Sequence, residues 1–289
     1  MPGESSRIAS TYLLASSCSR IGRPQMLYEA IEASTKYLRA KLPRGSLPWV
    51  IASRARSLGE TLYHHNVLNQ RRWHANRDTF ERAIAAQQRR GPFWFIQVGA
   101  CDGVTSDPIH ERVRRGGWRG ILVEPQPFEF ERLKRNYAGQ SDRLIFENLA
   151  ISEQAGSRML YSVRPDCVEA EWQRGIASFF PLKWLDPARV AAQPVQCITF
   201  ESLLQRHRIE HINLLQIDVE GYDYEILKLS HLEHFKPDLI RYEHRHLSLT
   251  DASECRAYLR RNGYQVLPMQ YDTGAIRRSL RGADVQLQT

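Results

Sequence analysis

Several apolar runs in this chain end in acids. Phe95-Ile-Gln-Val98 gives way to Gly99-Ala100-Cys101-Asp102-Gly103, Ile121-Leu-Val123 to Glu124-Pro125, and Leu214-Leu-Gln-Ile217 to Asp218-Val-Glu220-Gly221. A fourth run, Leu239-Ile-Arg-Tyr242, leads into Glu243-His244-Arg245-His246. A carboxylate at the end of a buried strand can hold a cation, accept hydrogen bonds from hydroxyls or take a proton from one. Gly99 and Gly103 let the backbone bend and approach a ligand closely. Glu124 lies 25 residues beyond Gly99, and an acid about 20 residues past a glycine turn accepts hydrogen bonds from a ribose diol. Asn148-Leu149-Ala150 ends a further strand, where an amide and the backbone can meet an adenine edge. The glycines do not form G-x-G-x-x-G, so the dinucleotide fingerprint lacks a part. Glu243 or His244 reads as a general base, or joins Asp218 around a hard cation. Glu220 has a plainer reading, as an acid favoured at a helix N-terminus. His246 reads best as part of a polar exit loop.

Alternating strands and helices must carry these strand ends. Strands are expected at 93–98, 120–124, 143–147, 212–217 and 237–242, and helices at 107–116, 127–138, 199–207, 222–229 and 252–262. That rhythm predicts a mostly parallel sheet covered on both faces. Asp251 and Glu254 suggest a capping box for the last helix, with Gly263 beyond its end. Residues 264–269 and 275–280 then pair as final antiparallel strands. Residues 164–194 break the rhythm with Trp172, Phe179, Phe180, Trp184 and four prolines. Such a long loop serves as a lid, or packs its aromatics on the core. The first 90 residues read as a helical extension, with a loose 1–25 and helices at 26–40, 49–63 and 79–90. Asp78-Thr79 caps the third of these, and Phe80, Ile84 and Ala85 face inward. Residues 91–289 form the second domain.

The composition limits the function classes. The net charge is +8 with 25% charged residues, which permits anionic partners. The basic residues are nearly all Arg, and no Arg/Lys stripe interleaves with aromatics, so nucleic acid is not the expected partner. Five scattered cysteines with no C-x-x-C pair argue against a disulfide framework or a zinc site and for a reducing, cytoplasmic setting. No run reaches the ~18 apolar residues of a membrane span.

Five segments, VGACDGVTSDP, GILVEPQPFEFERLKRNY, NLAIS, LLQIDVEGYDYEILK and YEHRHLS, together resemble the FkbM family of S-adenosylmethionine-dependent methyltransferases. The resemblance runs from about Phe93 to Ala275. It implies a Rossmann-like seven-stranded α/β methyltransferase sheet, mostly parallel with the last strand antiparallel, behind the N-terminal helical extension. It further implies that Gly99, Ala100, Asp102 and Gly103 wrap the methionine end of the cofactor and that Glu124 binds its ribose. Asn148 and Ala150 would lie by the adenine, with Asp218 directed toward the reacting centre. Cys101-Asp102 departs from the Asn-containing turn of many members.

Family members mostly methylate hydroxyls of sugars or natural products, so a small-molecule or glycan acceptor is expected. An aliphatic hydroxyl is a poor nucleophile and needs a base or a metal. Asp218, Glu243 and His244 are the candidate catalytic groups, with Asp218 and Glu243 as candidate Mg2+ ligands. His is an unusual magnesium ligand, which favours His244 as the base. Residues 164–194 are the candidate acceptor lid, and the N-terminal helices are a candidate surface for self-association. Two other classes remain open: a nicotinamide oxidoreductase on a similar sheet, and a non-catalytic scaffold that keeps the fold.

Overall fold

A computed structural model describes residues 69–280. The chain divides into two compact units between Arg72 and Trp73, and the sheet and its strand-end acids lie in the second. The helices expected at 26–40 and 49–63 lie outside the described residues.

Residues 69–88 are helical (α1). The expected start at Asp78-Thr79 is therefore corrected. Thr79 sits inside the helix with its hydroxyl donating to the Ala75 carbonyl at 2.8 Å, a local bond that lets a capping residue type stay within a helix. Phe80 and Ile84 are buried as expected, against Phe93, Phe95 and Trp118. Next along the chain are β1 (Trp94–Val98), α2 (His110–Arg115), β2 (Arg119–Val123), α3 (Pro127–Asn136) and β3 (Leu144–Glu147). After them come β4 (Ala150–Ile151), β5 (Gly156–Val163), β6 (Ala177–Ser178), β7 (Val190–Ile198) and α4 (Phe200–His207). The chain continues through β8 (Leu214–Ile217), α5 (Asp223–Leu229), β9 (Leu239–Glu243), α6 (Leu249–Arg261), β10 (Tyr264–Pro268) and β11 (Asp272–Arg277).

Seven strands form one sheet in the order β10-β11-β9-β8-β1-β2-β3. β1, β2, β3, β8 and β9 run parallel, and β11 is antiparallel to both β9 and β10. This is the expected Rossmann-like sheet. Alternate residues explain why both faces are covered. Ile96, Val98, Ile121, Leu215 and Ile217 pack on one face with Leu203, Ile226 and Leu259 of α4, α5 and α6. Phe95, Leu122, Leu214 and Leu239 pack on the other with Phe80, Ile109, Val113 and Leu133. Burying each such side chain contributes about 1.5–3 kcal/mol.

The chain enters β1 and then crosses to β2 on one side and β8 on the other. The sheet's switch point is therefore at the carboxyl ends of β1 and β8, where open α/β sheets bind ligands.

Two expectations are corrected. α6 begins at Leu249 with Ser248 as its cap: the Ser248 hydroxyl accepts the Asp251 N–H at 3.0 Å and donates to the Asp251 carboxylate at 2.7 Å. The helix cap therefore lies three residues toward the N-terminus of the expected one. Residues 164–194 are not one long loop. Residues 164–189 lie between the arms of an antiparallel pair, β5 and β7, in register from Gly156–Cys197 to Val163–Val190, and residues 190–194 are part of β7 itself. β4 and β6 flank this pair in a second four-stranded sheet. Both arms carry many polar and exposed residues, which is why no apolar run marks them. Of the insertion's aromatics, Phe179 meets the Tyr222 ring edge-on at 5.7 Å. Trp172, Phe180 and Trp184 are 62%, 65% and 62% exposed and do not pack on the core.

Candidate active site

The turn after β1 is fastened to β2. The Gly99 and Ala100 N–H groups both donate to the Val123 carbonyl at 3.0 Å, and Gly103 N–H returns to Ala100 at 2.8 Å. Gly99 has φ +82°, and a Cβ there would lie 1.9 Å from the Asp218 carbonyl oxygen. The end of β8 therefore closes on the turn only because residue 99 has no side chain. Gly103, at φ +71°, is covered by Leu133 and Tyr137 of the α3 end, each 2.5 Å from a Cβ built there. Gly99→Ala is expected to displace the β8 end. It should lower the unfolding free energy by about 3 kcal/mol or more, since overpacking and left-handed strain add, as read by denaturant titration.

Asp102 faces inward. Its carboxylate accepts Val104 N–H (3.0 Å), Thr105 N–H (2.8 Å), the Thr105 hydroxyl (2.9 Å) and Arg132 (2.8 Å). Burial alone would raise this carboxyl, but the Thr105 and Val104 hydrogen bonds and the Arg132 charge hold it below the ordinary carboxylate range. Asp102 thus shapes the turn, and what the turn offers a ligand is backbone.

Glu124 follows β2 and is 3% exposed. One carboxylate oxygen accepts Cys101 N–H and the other Gln126 N–H, both at 2.8 Å. Each oxygen has a second lone pair, so the carboxylate can still take two hydroxyl donors side by side. Burial, only partly offset by the Gln126 and Cys101 hydrogen bonds, raises it to about 7. Asn148 donates to the Glu124 carbonyl at 2.8 Å and the Pro125 carbonyl at 3.3 Å, so its amide braces the end of β2. Ala150 is buried in β4.

Asp218 is exposed at the tip of β8, yet protein crowds its flanks. That desolvation, with the charges of Glu243, Asp223, Glu220 and Asp272, pushes its carboxyl up to about 9. Asp223 is wholly buried at the start of α5, accepting Gly221 N–H (3.3 Å) and Glu243 N–H (3.2 Å), and burial raises it to about 7. Burial and then Glu220, Asp223 and Asp272 raise Glu243 to about 8. His244 is half-buried, and burial lowers its imidazole; its Nδ1 lies 3.1 Å from the Thr273 hydroxyl.

Among the described residues, ligand atoms of Glu220, Glu243 and His246 fall within 4.8 Å of one another. His246 Nε2 is 3.4 Å from Glu220 and 3.7 Å from Glu243. Glu220 and His246, read from the sequence as a dipole acid and a loop residue, thus lie beside Glu243. Asp218 is not part of that converging set. The only signal for the pairing was their shared position just after two strand ends.

This crowding has a stability consequence. Glu124 and Asp223 bind protons more tightly folded than unfolded, so their contribution is complete below about pH 4 and lost as pH rises through 7. Each is buried, and a shift of this size is worth roughly 3 kcal/mol. Stability by denaturant titration is expected to fall from pH 5.5 to pH 8.5, the reverse of a protein held by ionised carboxylates.

A glycine turn follows the first parallel strand, and an acid follows the second and the fourth, all at one edge of a Rossmann-like sheet. A family model for the methyltransferase FkbM domain matches residues 97–266, more than half of the chain. The chain belongs to the FkbM methyltransferase family. Membership implies S-adenosylmethionine as methyl donor, and it removes the nicotinamide oxidoreductase alternative.

Among solved structures, the chain is similar to methyltransferase FkbM from Methylobacillus flagellatus KT, at 14% identity and TM-score 0.42, over 64% of this chain and 43% of that one. The chain thus spans less than half the length of that structure. It is also similar to precorrin-6y C5,15-methyltransferase from Geobacter metallireducens GS-15, at 13% identity and TM-score 0.36, covering 68% and 87%. A third is the Methanococcus jannaschii fibrillarin pre-rRNA processing protein, at 12% identity and TM-score 0.38, covering 65% and 67%. No curated protein matches. No described helix is long and apolar enough to cross a membrane.

Proposed function

We propose that residues 91–289 form an S-adenosylmethionine-dependent O-methyltransferase domain acting on a hydroxyl of a sugar or natural-product acceptor. The observation that carries this reading is the alignment of the Gly99 turn, Glu124 and Asp218 at the carboxyl ends of three adjacent strands, β1, β2 and β8. The two spare lone pairs of Glu124 fit the diol of a nucleoside. The backbone from Gly99 to Gly103 serves its amino-acid end and Glu124 its ribose diol, while Asn148 and Ala150 bound the adenine side.

When bound, the cofactor supplies an electrophilic methyl group. The residues of the chain position the acceptor and remove its proton. Asp218 would take the hydroxyl proton in its ionised form, and a positive charge beside it would favour that form against the burial and neighbouring acids that hold its own proton on. Glu243 shares that charge. Burial lowers the His244 imidazole and favours its neutral form, and the tautomer that donates Nδ1–H to Thr273 would leave Nε2 as the alternative base. A divalent ion would find oxygen donors in Glu243 and Asp218, and Glu220 and His246 give a more convergent set that includes a nitrogen.

The exposed Trp172, Phe180 and Trp184 suit the apolar faces of a sugar ring, which makes the insertion the acceptor lid. Calorimetry with S-adenosylhomocysteine, followed by a crystal soak with and without Mg2+, tests this reading. Binding with the ribose on Glu124 supports it. Absence of any heat, together with a rim filled by side chains, overturns it.

A further inference from the structure

The two ends of the rim differ. Asp218 is open to solvent, whereas Glu124 is 3% exposed. The segment that spans from one to the other is Glu171–Phe179 of the insertion. At the Glu124 end, the Arg174 carbonyl accepts the Gln126 side-chain amide at 3.0 Å, and Gln126 N–H is itself bonded to Glu124. Arg174 also reaches the Glu129 carboxylate at 3.4 Å and Glu171 at 3.1 Å. Arg132 joins Asp102 of the glycine turn (2.8 Å), Glu129 (3.3 Å) and Glu171 (3.7 Å). Two guanidiniums thus serve three carboxylates drawn from the turn, from α3 and from the insertion. At the Asp218 end, Phe179 rests edge-on against Tyr222. Gly175 faces Glu220, whose carboxylate oxygen would lie 3.3 Å from a Cβ built on it.

We propose that residues 171–179 are a strap across the carboxyl rim, latched to α3 by Arg132 and Arg174, and that its release admits the nucleoside to Glu124. The inference rests on the proposed cofactor reading and deepens it, because it names the residues that control entry. Arg132 and Arg174 are positioning residues: they act through the strap and the turn, and neither is assigned a contact with the cofactor.

The hold on the strap is of a kind that opens. Between Arg164 and Phe180 only Ile176 is a buried apolar residue. Its strand, β6, contributes two residues paired to Tyr161 and Ser162. Glu171 is largely exposed, so its ion pairs are weak and screened. Segments with few buried apolar contacts and exposed polar bonds lie at the low-stability end of a fold. The other end of the latch is firm, because Asp102 and Glu129 are almost wholly buried. Opening therefore releases the strap and leaves the turn in place. A cavity of about 80 Å³ beside the latch, bordered by Gln126, Phe128, Glu129, Ser162, Val168 and Arg174, separates α3 from the hairpin.

Stopped-flow tryptophan fluorescence with S-adenosylhomocysteine tests the gate, with Trp172 as a reporter inside the strap. In the native protein the observed rate should level off with ligand concentration, at the opening rate of the strap. Arg174→Met should raise that plateau at least five-fold, and Glu171→Gln about three-fold in the same direction. Lys183→Met, on the insertion but outside the latch, should leave it unchanged. Glu171→Gln touches only an exposed carboxylate, so it remains informative if Arg174→Met folds poorly. Hydrogen exchange at 171–179 should rise in both latch variants while exchange at 99–105 stays as in the native protein. Native binding with a rate linear in ligand and identical in the variants overturns the gate alone. A native protein that binds no S-adenosylhomocysteine overturns the cofactor reading, and the gate falls with it.

Discussion

Glu124→Ala is expected to weaken S-adenosylhomocysteine binding by about 100-fold. Two hydrogen bonds from ribose hydroxyls to a carboxylate at ~1.5 kcal/mol each sum to about 3 kcal/mol, or two decades in Kd. The variant should also be less stable, because the Cys101 and Gln126 N–H groups lose a shared acceptor. Calorimetry on folded protein, checked by circular dichroism, separates the two effects. A pH series adds a readout that misfolding cannot imitate. The Glu124 carboxyl is pushed up to about 7, so its ionised form is the acceptor above that pH. Native affinity should fall between pH 8 and pH 6, and the Ala variant should lose that slope. Native affinity retained in a folded Glu124→Ala protein would remove the ribose assignment.

Asp218→Asn should leave the cofactor affinity within a few-fold of native and lower kcat by about 10²–10⁴, the usual worth of a positioned base. The side chain stays the same size at an exposed site, so no cavity or clash arises. The substitution also removes a carboxyl that folding forces to hold its proton in a crowded acidic set. Glu243, Asp223, Glu220 and Asp272 all push on Asp218, and the Asn variant should therefore melt higher than native above pH 7.5. A protein that loses turnover while gaining stability is the signature of a charge kept for function. Turnover equal to native would pass the role to His244, and a His244→Gln comparison would then carry the assignment.

The sheet was legible because its strands are short apolar runs broken by acids and glycines. Leu214-Leu-Gln-Ile217 could sit nowhere but in a strand covered on both faces, and Asp218 necessarily came at its end. The site residues at strand ends were readable for the same reason. What the sequence concealed is pairing across distance. Nothing near Asp102 announces Arg132, 30 residues on, and nothing near Glu171 announces that it shares the same guanidinium. An acid in a glycine turn is visible in the sequence, while the four donors around Asp102 are not. The β5–β7 hairpin escaped because a strand half-exposed on both arms carries no alternation strong enough to notice. His246 and Glu220 were each given a local explanation, and only folding sets them 3.4 Å apart.

β11 lies between β9 and β10, and β10 has no other neighbour in its sheet. The strand made last of the seven is thus a wedge that joins two already synthesised. Until Asp272–Arg277 has left the ribosome, β9 shows a bare edge of unpaired amides and carbonyls and β10 has nothing to hold. The nascent chain can build the Gly99 turn and set Glu124 at the end of β2 early. It carries an open, sticky border until the wedge arrives, and a stop codon placed before Asp272 would leave that border exposed for good.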